Sequence, residues 1–308
     1  MTINAFGDSV TNGTAGTSIR YPVVAASILG QSLNNYGIGG SMIADQVASI
    51  FGNAKQDSFF LTGLNDLLYF GSSTVDYEKI LKSCLVYLAS GEIVKGQNMT
   101  KTGSWTNSGI YGANISVMNN TLNDSVSCSV TGTIVYVSLT QINNGTGGLA
   151  EIWIDGNLMT SCGCYGNTAP QSGLAYSPTL LRFAGLSSGS HTVEIKNIST
   201  ASNNCIWVDY VASNTVGNKI CVGGVLPSTN AAYAACVAPV NHGSQTNCAA
   251  YGTLISNDCS LFSADGLDIR YVNLNTYDPA VLNVINDVHP NLNGQCYLAV
   301  EFLLKYFA

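Results

Sequence analysis

Four short segments of this 308-residue chain carry side chains capable of chemistry. Phe6-Gly7-Asp8-Ser9-Val10-Thr11-Asn12-Gly13 follows a strand-like run, so Ser9 falls at that strand's carboxyl end. Open α/β sheets bind their ligands at this edge. Asn35-Tyr36-Gly37-Ile38-Gly39-Gly40-Ser41 follows a second strand pattern, with glycines that let a backbone N–H approach a substrate oxygen. Thr62-Gly63-Leu64-Asn65-Asp66 follows a third and supplies a neutral amide donor, and Asp287-Val288-His289-Pro290-Asn291 stands just before the final helix. A hydroxyl, an imidazole and a set of N–H donors converging at strand ends are the parts of acyl-transfer chemistry. A Gly-Asp-Ser turn alone is commonplace; four such segments together carry the signal.

Side chains this far apart in sequence need elements to bring them to one edge. Residues 2–6, 33–36 and 57–62 read as strands. Residues 21–33, 42–51 and 74–89 read as helices, the last with Ile80, Leu81, Cys84, Leu85 and Leu88 at 3–4 spacing. The same texture returns late in the chain, with strands at 219–226 and 269–274 and helices at 231–237, 249–256 and 294–307. Such alternation predicts an α/β fold, a parallel sheet covered by helices on both faces in three layers.

The middle of the chain differs. Between Lys101 and Arg182 there is no Lys or Arg, and Asp124, Glu151 and Asp155 are the only acids. Strand-type segments recur at 127–139, 149–154, 179–183, 191–195 and 206–211, separated by turn signals at Asn144-Gly145, Asp155-Gly156 and Ser188-Gly189. The chain therefore divides into 1–95, an inserted antiparallel β-sandwich at 96–214, and 215–308, the two outer parts forming one domain. The insertion interrupts a helix-to-strand connection. In a parallel sheet such connections lie at the amino ends of the strands, so the sandwich is expected beneath the sheet, opposite the Ser9 edge.

Composition bounds the function. Eleven basic and 18 acidic residues give a net charge of −7, with 9% charged and 46% hydrophobic residues. Charge-driven disorder is excluded, and there is no cationic footprint for nucleic acid. No apolar run approaches the ~20 residues of a membrane helix. No basic n-region of a signal peptide is visible, while the Asn/Ser/Thr-rich, low-charge makeup suits an extracellular or virion-surface protein. The ten cysteines have irregular spacing, and Cys162-Gly163-Cys164 is too tight for a metal-binding pair. They read as buried thiols in preference to ligands, and Cys236, His242, Cys248 and Cys259 lack the short pair spacing of a metal site. No metal or cofactor is expected.

In order and placement, the four segments resemble the blocks of the GDSL/SGNH hydrolase superfamily, over roughly residues 1–90 and 218–308. The resemblance implies a serine esterase that needs no cofactor, with Ser9 as nucleophile and His289 as general base. The Ser9 N–H, the Gly40 N–H (or that of Gly39 beside it) and the Asn65 amide would form the oxyanion hole. Asp8 and Asp66 would orient loops. The family's aspartate stands three residues before the histidine, where this chain has Asn286; Asp287 stands only two before. Either Asp287 orients the imidazole, the preferred reading, or a Ser–His dyad relies on Asn286 or a backbone carbonyl.

The insertion resembles sugar-binding jelly-roll modules, with Trp105, Tyr111, Trp153, Tyr165, Tyr176 and Trp207 available. Trp153 and Trp207 lie in strand patterns and read as core, whereas Trp105 and Tyr111 read as surface contacts to substrate. His242, in a loop, is a third substrate-binding candidate, and His191 reads as a surface turn residue. The expected partner is an acetylated carbohydrate, with room for a homo-oligomer. The alternatives are a non-catalytic glycan-binding or attachment protein on a hydrolase scaffold, and a lipid-ester or thioester hydrolase.

Overall fold

A computed structural model of the chain describes every residue except 14–18, 72, 112–114, 143–145, 166–175, 202–203 and 237–241. The turn expected at Asn144-Gly145 lies outside the described residues. The chain opens with β1 (Thr2–Gly7), α1 (Ser9–Asn12), α2 (Tyr21–Ile28), β2 (Ser32–Asn35), α3 (Ile43–Gly52), β3 (Ser58–Leu61), α4 (Leu64–Phe70) and α5 (Val75–Ala89). Nine strands follow: β4 (Ile93–Lys95), β5 (Thr100–Thr102), β6 (Thr106–Asn107), β7 (Val117–Asn119), β8 (Ser125–Ile142), β9 (Leu149–Ile154), β10 (Asn157–Gly163), β11 (Tyr176–Asn197) and β12 (Ile206–Ser213). The last part holds β13 (Ile220–Gly223), α6 (Asn230–Ala235), α7 (Gln245–Ala264), β14 (Ile269–Val272), α8 (Pro279–Leu282) and α9 (Leu292–Phe307).

β2, β1, β3, β13 and β14 form, in that order, a five-stranded sheet whose paired neighbours all run parallel. Central strands of such sheets are covered on both faces and read as continuous apolar runs. Accordingly Ile3, Ala5 and Phe6 of β1 and Phe59, Phe60 and Leu61 of β3 are buried, whereas edge strand β2 (Ser-Leu-Asn-Asn) is polar. Helices α2 and α9 pack together on one face, with Phe302 against Phe59 at 5.4 Å between ring centroids. Helices α3, α5 and α7 cover the other face. Within the parallel part the strand order is 2-1-3-4-5, in which the direction of winding reverses beside the first strand and leaves a crevice at its carboxyl end.

The second sheet is antiparallel throughout its paired strands and is organised by two long ones, β8 and β11. The first half of β8 pairs with β5 and the second half of β11; its second half pairs with β12 and the first half of β11. The register slips between Ala184 and Gly189, so the expected strands at 179–183 and 191–195 are two parts of one. Inward positions change parity along β8, from Val126 and Val130 to Val135, Val137 and Leu139, and both halves share one apolar cluster with Ile152, Val193 and Val208. The sheet is thus folded over on itself around its own core.

Its position corrects the expected one. The outward face of the second half of β8 and of β12 lies along α5: Ser83 Oγ meets Ser138 Oγ at 2.8 Å, and Tyr210 Oη donates to Ser83 O at 2.6 Å. Tyr111 and Tyr210 pack edge-on against Phe51. Near the start of α5, Lys79 Nζ donates to Gln141 Oε1 at 3.4 Å. Just past the end of α7, Asp265 accepts from Tyr136 Oη at 2.7 Å and pairs with Arg182. The chain does leave at the amino edge, but its long strands return beside the helix layer, so the insertion flanks the parallel sheet. Helix α5 is therefore buried all round in its second half, where Ser83, Val86, Tyr87 and Ala89 are as inaccessible as Leu81 and Leu85. The two ends of the insertion close on each other through Gly91 N to Thr215 O (2.6 Å) and Gly217 N to Ala89 O (3.0 Å).

Candidate active site

β1 ends at Gly7 with φ 155°, where a Cβ would run into the Leu61 carbonyl of β3 and the Thr11 side chain. Only glycine turns the chain so tightly between strand and helix. Asp8, buried, caps the following turn by accepting from Val10 N at 2.9 Å. Ser9 is then the first residue of α1, where helical geometry leaves backbone N–H groups without intrahelical partners. It is 7% exposed.

From the other end of the chain comes the loop between α8 and α9. It is closed by Val284 N to His289 O (2.9 Å) and Asp287 N to Val284 O (3.0 Å). Asn291 Nδ2 braces it through Asn283 O at 3.0 Å and Val281 O at 2.8 Å. This loop brings His289 Nε2 to 2.8 Å from Ser9 Oγ. On the far side of the ring, Nδ1 lies 2.6 Å from Asp287 Oδ1, which also accepts from the His289 backbone N–H at 3.0 Å. With Nδ1–H donated to the carboxylate, Nε2 presents its lone pair to the serine hydroxyl. Burial pushes the Asp287 carboxyl up, but its hydrogen bonds from the His289 ring and backbone outweigh that and hold it below its ordinary 3.8. Asn286 is exposed and adopts φ 57°. That left-handed residue folds the turn so that position 287, not 286, meets the imidazole.

Gly40 stands on the loop after β2 and Asn65 in the first turn of α4, which follows β3; β2 and β3 flank β1. Gly63, at φ 106°, caps α4 and starts the turn that presents Asn65. Asn65 Nδ2 donates one hydrogen to Ser41 O at 2.8 Å, fixing the amide beside the Gly39–Gly40 turn. Asp66, the next residue, accepts from Ile43 N at 3.0 Å, so the start of α4 grips the loop on both sides. Burial raises Asp8 to about 6 and Asp66 to about 8, opposed in each by backbone hydrogen bonds.

Sequence reasoning missed two positioning residues. Gln46, fully buried on α3, donates from Nε2 to Gly7 O at 2.8 Å and to Ser41 Oγ at 2.6 Å, tying the Ser9 turn to the Gly40 loop. Its signal was a glutamine at a position where the spacing of Ile43, Val47 and Ile50 calls for an apolar side chain. Gln295 on α9 accepts from Tyr21 N at 2.7 Å and donates to Val10 O at 3.4 Å, tying the helix behind His289 to the helix of Ser9.

The remaining candidates do not join this centre. Tyr111, read as a surface contact, is 4% exposed, bonds Thr140 Oγ1 at 2.9 Å and packs between Phe51 and Tyr176. Trp105 is half-buried against the insertion's own core, its Nε1 donating to Thr102 O at 3.2 Å. His242 is exposed; its backbone N–H bonds Leu68 O and its side chain lies against Gly71, at the end of α4 away from Asn65. His191 is corrected too. It is 2% exposed within β11, between Asp155 Oδ2 (2.6 Å) and Ser187 O (2.8 Å), partners that raise its pKa. Trp207 is core, whereas Trp153 is half-buried and bonds Glu151. No disulfide joins the ten cysteines among the described residues, and five of them are buried. Among the described residues no group of three or more His, Cys, Asp or Glu is arranged around a metal position, and no helix is long and apolar enough to cross a membrane.

No protein-family model matches the chain, and no curated protein does. Solved structures with partial likeness include the CBM36-1 domain of a multidomain xylanase from the hindgut metagenome of Trinervitermes trinervoides, at 21% identity and TM-score 0.31, covering 39% of this chain and 93% of that one. Another is a two-domain esterase active on acetylated mannans, co-crystallized with mannopentaose, at 12% identity and TM-score 0.39, covering 71% and 91%. A third is a family two carbohydrate esterase from Cellvibrio japonicus, at 16% identity and TM-score 0.31, covering 60% and 52%. All three likenesses are remote.

Proposed function

We propose that the protein is a serine esterase of the GDSL/SGNH type that removes acetyl groups from a carbohydrate. The observation that carries this reading is the chain of contacts Asp287–His289–Ser9, at 2.6 and 2.8 Å, at the crevice where the parallel sheet reverses its winding. His289 takes the Ser9 proton as Oγ attacks the ester carbonyl, then returns it to the leaving alcohol. The oxyanion is met by N–H groups of Ser9 and Gly40 and by the second Nδ2 hydrogen of Asn65. Water, deprotonated by the same imidazole, attacks the acyl-serine and releases acetate. The insertion, residues 96–214, is taken as an accessory unit of jelly-roll type.

The acetyl preference rests on the sequence: the polar, aromatic-bearing insertion suits a carbohydrate better than a lipid. A non-catalytic glycan binder drew its support from the asparagine at 286, and with Asp287 bonded to the imidazole no observation favours it. Hydrolysis of 4-nitrophenyl esters tests the reading. Turnover of the acetate is expected, falling by at least ~10³ in Ser9→Ala and declining steeply for acyl chains beyond two or three carbons. Equal rates for wild type and Ser9→Ala would remove the proposal, and a preference for long chains would point to a lipid ester.

A further inference from the structure

Away from Ser9, three adjoining hollows follow helix α7 and strand β14, which is an edge of the parallel sheet. The first, about 380 Å³, opens at the carboxyl edge beside Gly224, Pro227 and Tyr277. The second, about 230 Å³, shares Tyr271, Gly252 and Asn275 with it and adds Thr253, Ser256 and Asn257. The third, about 450 Å³, shares Tyr271 and Ser256 and continues past Ser260 to Lys305. Together they make one groove that runs the length of β14.

We infer that this groove binds a neutral polysaccharide and leads it to the Ser9 centre. The inference deepens the esterase reading and rests on it for the second half of that statement. Three observations support it. First, α7 faces the groove with Gln245, Thr253, Ser256, Asn257 and Ser260, and Asp258, the sole acidic or basic residue among its 20, is buried. A water-facing helix usually carries Lys and Glu there; a run of hydroxyls and amides offers directional hydrogen bonds without charge, as an uncharged polyol requires.

Second, Tyr271 is half-buried at the middle of the groove, shared by all three hollows, and its hydroxyl has no hydrogen-bond partner among the described residues. A Cβ on Gly224 would stand 2.8 Å from that hydroxyl and one on Gly252 3.5 Å away. The glycine at 224 therefore keeps clearance around the Tyr271 hydroxyl, whereas a Cβ at 252 would make only an ordinary contact with it. Tyrosine joins a ring face for stacking to a hydroxyl for bonding. Third, the upper end of the groove abuts the His289 loop. Tyr277 Oη meets Asn283 Oδ1 at 2.5 Å, and Asn283 Nδ2 donates to Ser228 Oγ, next to Pro227, at 3.3 Å.

Affinity gel electrophoresis of the full-length Ser9→Ala protein, which leaves the polymer intact, tests the inference with acetylated xylan and acetylated mannan as probes. Retardation by at least one polymer is expected. It should weaken about tenfold in Tyr271→Ala and equally in Asn257→Arg, whose exposed site threatens no core packing, each variant first checked for an unchanged melting temperature. A Tyr271→Ala protein that melts early is set aside and Asn257→Arg decides. No retardation by either polymer, or retardation unaltered by the groove substitutions because binding resides in the β-insertion or because the groove takes a peptide, would overturn the inference. Failure of the esterase reading is read separately, as 4-nitrophenyl acetate hydrolysis that survives Ser9→Ala. In the Ser9 protein, KM for the acetylated polymer should rise about tenfold in Asn257→Arg; an unchanged KM would show that the groove does not feed the centre.

Discussion

One carboxylate oxygen holds the His289 imidazole in place: Asp287 Oδ1 accepts both the ring Nδ1–H and the backbone N–H. Its ionised form is favoured by those bonds, so the charge that steadies an imidazolium is present throughout the neutral range. Replacing Asp287 by Asn is expected to lower kcat for 4-nitrophenyl acetate by about 10³–10⁴, the scale seen when a triad aspartate loses its charge. Asn286→Gly, which keeps the positive φ available, should stay within about twofold of wild type. The reverse ranking would mean that position 286 orients the ring. The places of Ser9, Gly40, Asn65 and His289, just beyond strands β1, β2 and β3 and just before the last helix, were legible in the sequence because each lies in a short local motif. The choice between 286 and 287 was not, since it depends on a backbone angle that either residue type tolerates.

Elements were legible where one face was apolar and illegible where packing came from afar. The helices at α3, α5 and α9 follow their spacing within a residue or two. Tyr111 sits among Gly, Ser and Asn and so resembles a surface residue, but Phe51 of the other sheet's helix layer covers it. His191 follows a turn signal, yet Asp155 from the neighbouring hairpin closes over it. The flanking position of the insertion did have a signal: the run Leu85-Val86-Tyr87-Leu88-Ala89 is apolar on every side, which a helix covered on one face alone does not need. The turns between elements carry the site. At Gly63, φ is 106° and a Cβ would come within 2.9 Å of Tyr77 Oη and Val225 Cγ2. Gly63→Ala is expected to destabilise by about 1–3 kcal/mol, read as a lower urea midpoint at unchanged m. Because α4 then presents Asn65 from a shifted start, kcat should fall by up to ~10². A variant with normal stability and normal kcat would show that the turn tolerates a side chain.

At the scale of the molecule, the antiparallel sheet meets helix α5 through a buried polar network centred on Asp209. It accepts from Ser116, Ser138 and Thr140 at 2.7, 3.1 and 2.8 Å, and Ser138 continues to Ser83 on α5. Burial raises its pKa from 3.8 to about 7. The folded protein therefore keeps a proton that the unfolded chain sheds near pH 4, so stability contributed at low pH is lost as pH rises through that window. Asp8 and Asp66 shift in the same direction. The melting temperature should fall from pH 5 to pH 8, and Asp209→Asn, whose amide cannot ionise, should flatten part of that decline. An equally steep fall in the variant would assign the effect elsewhere.

The hydrogen-bonded neck of the insertion has a consequence for how such a chain can diversify. With Gly91 and Thr215, and Ala89 and Gly217, already touching, the host experiences 120-odd foreign residues as a tight turn, and its closure entropy barely depends on what hangs beyond it. Duplication, exchange or lengthening of the appended module can proceed through recombination at that point while the machinery at the opposite edge keeps its geometry. The constraint on a newcomer is that it must still shield the oily side of one helix.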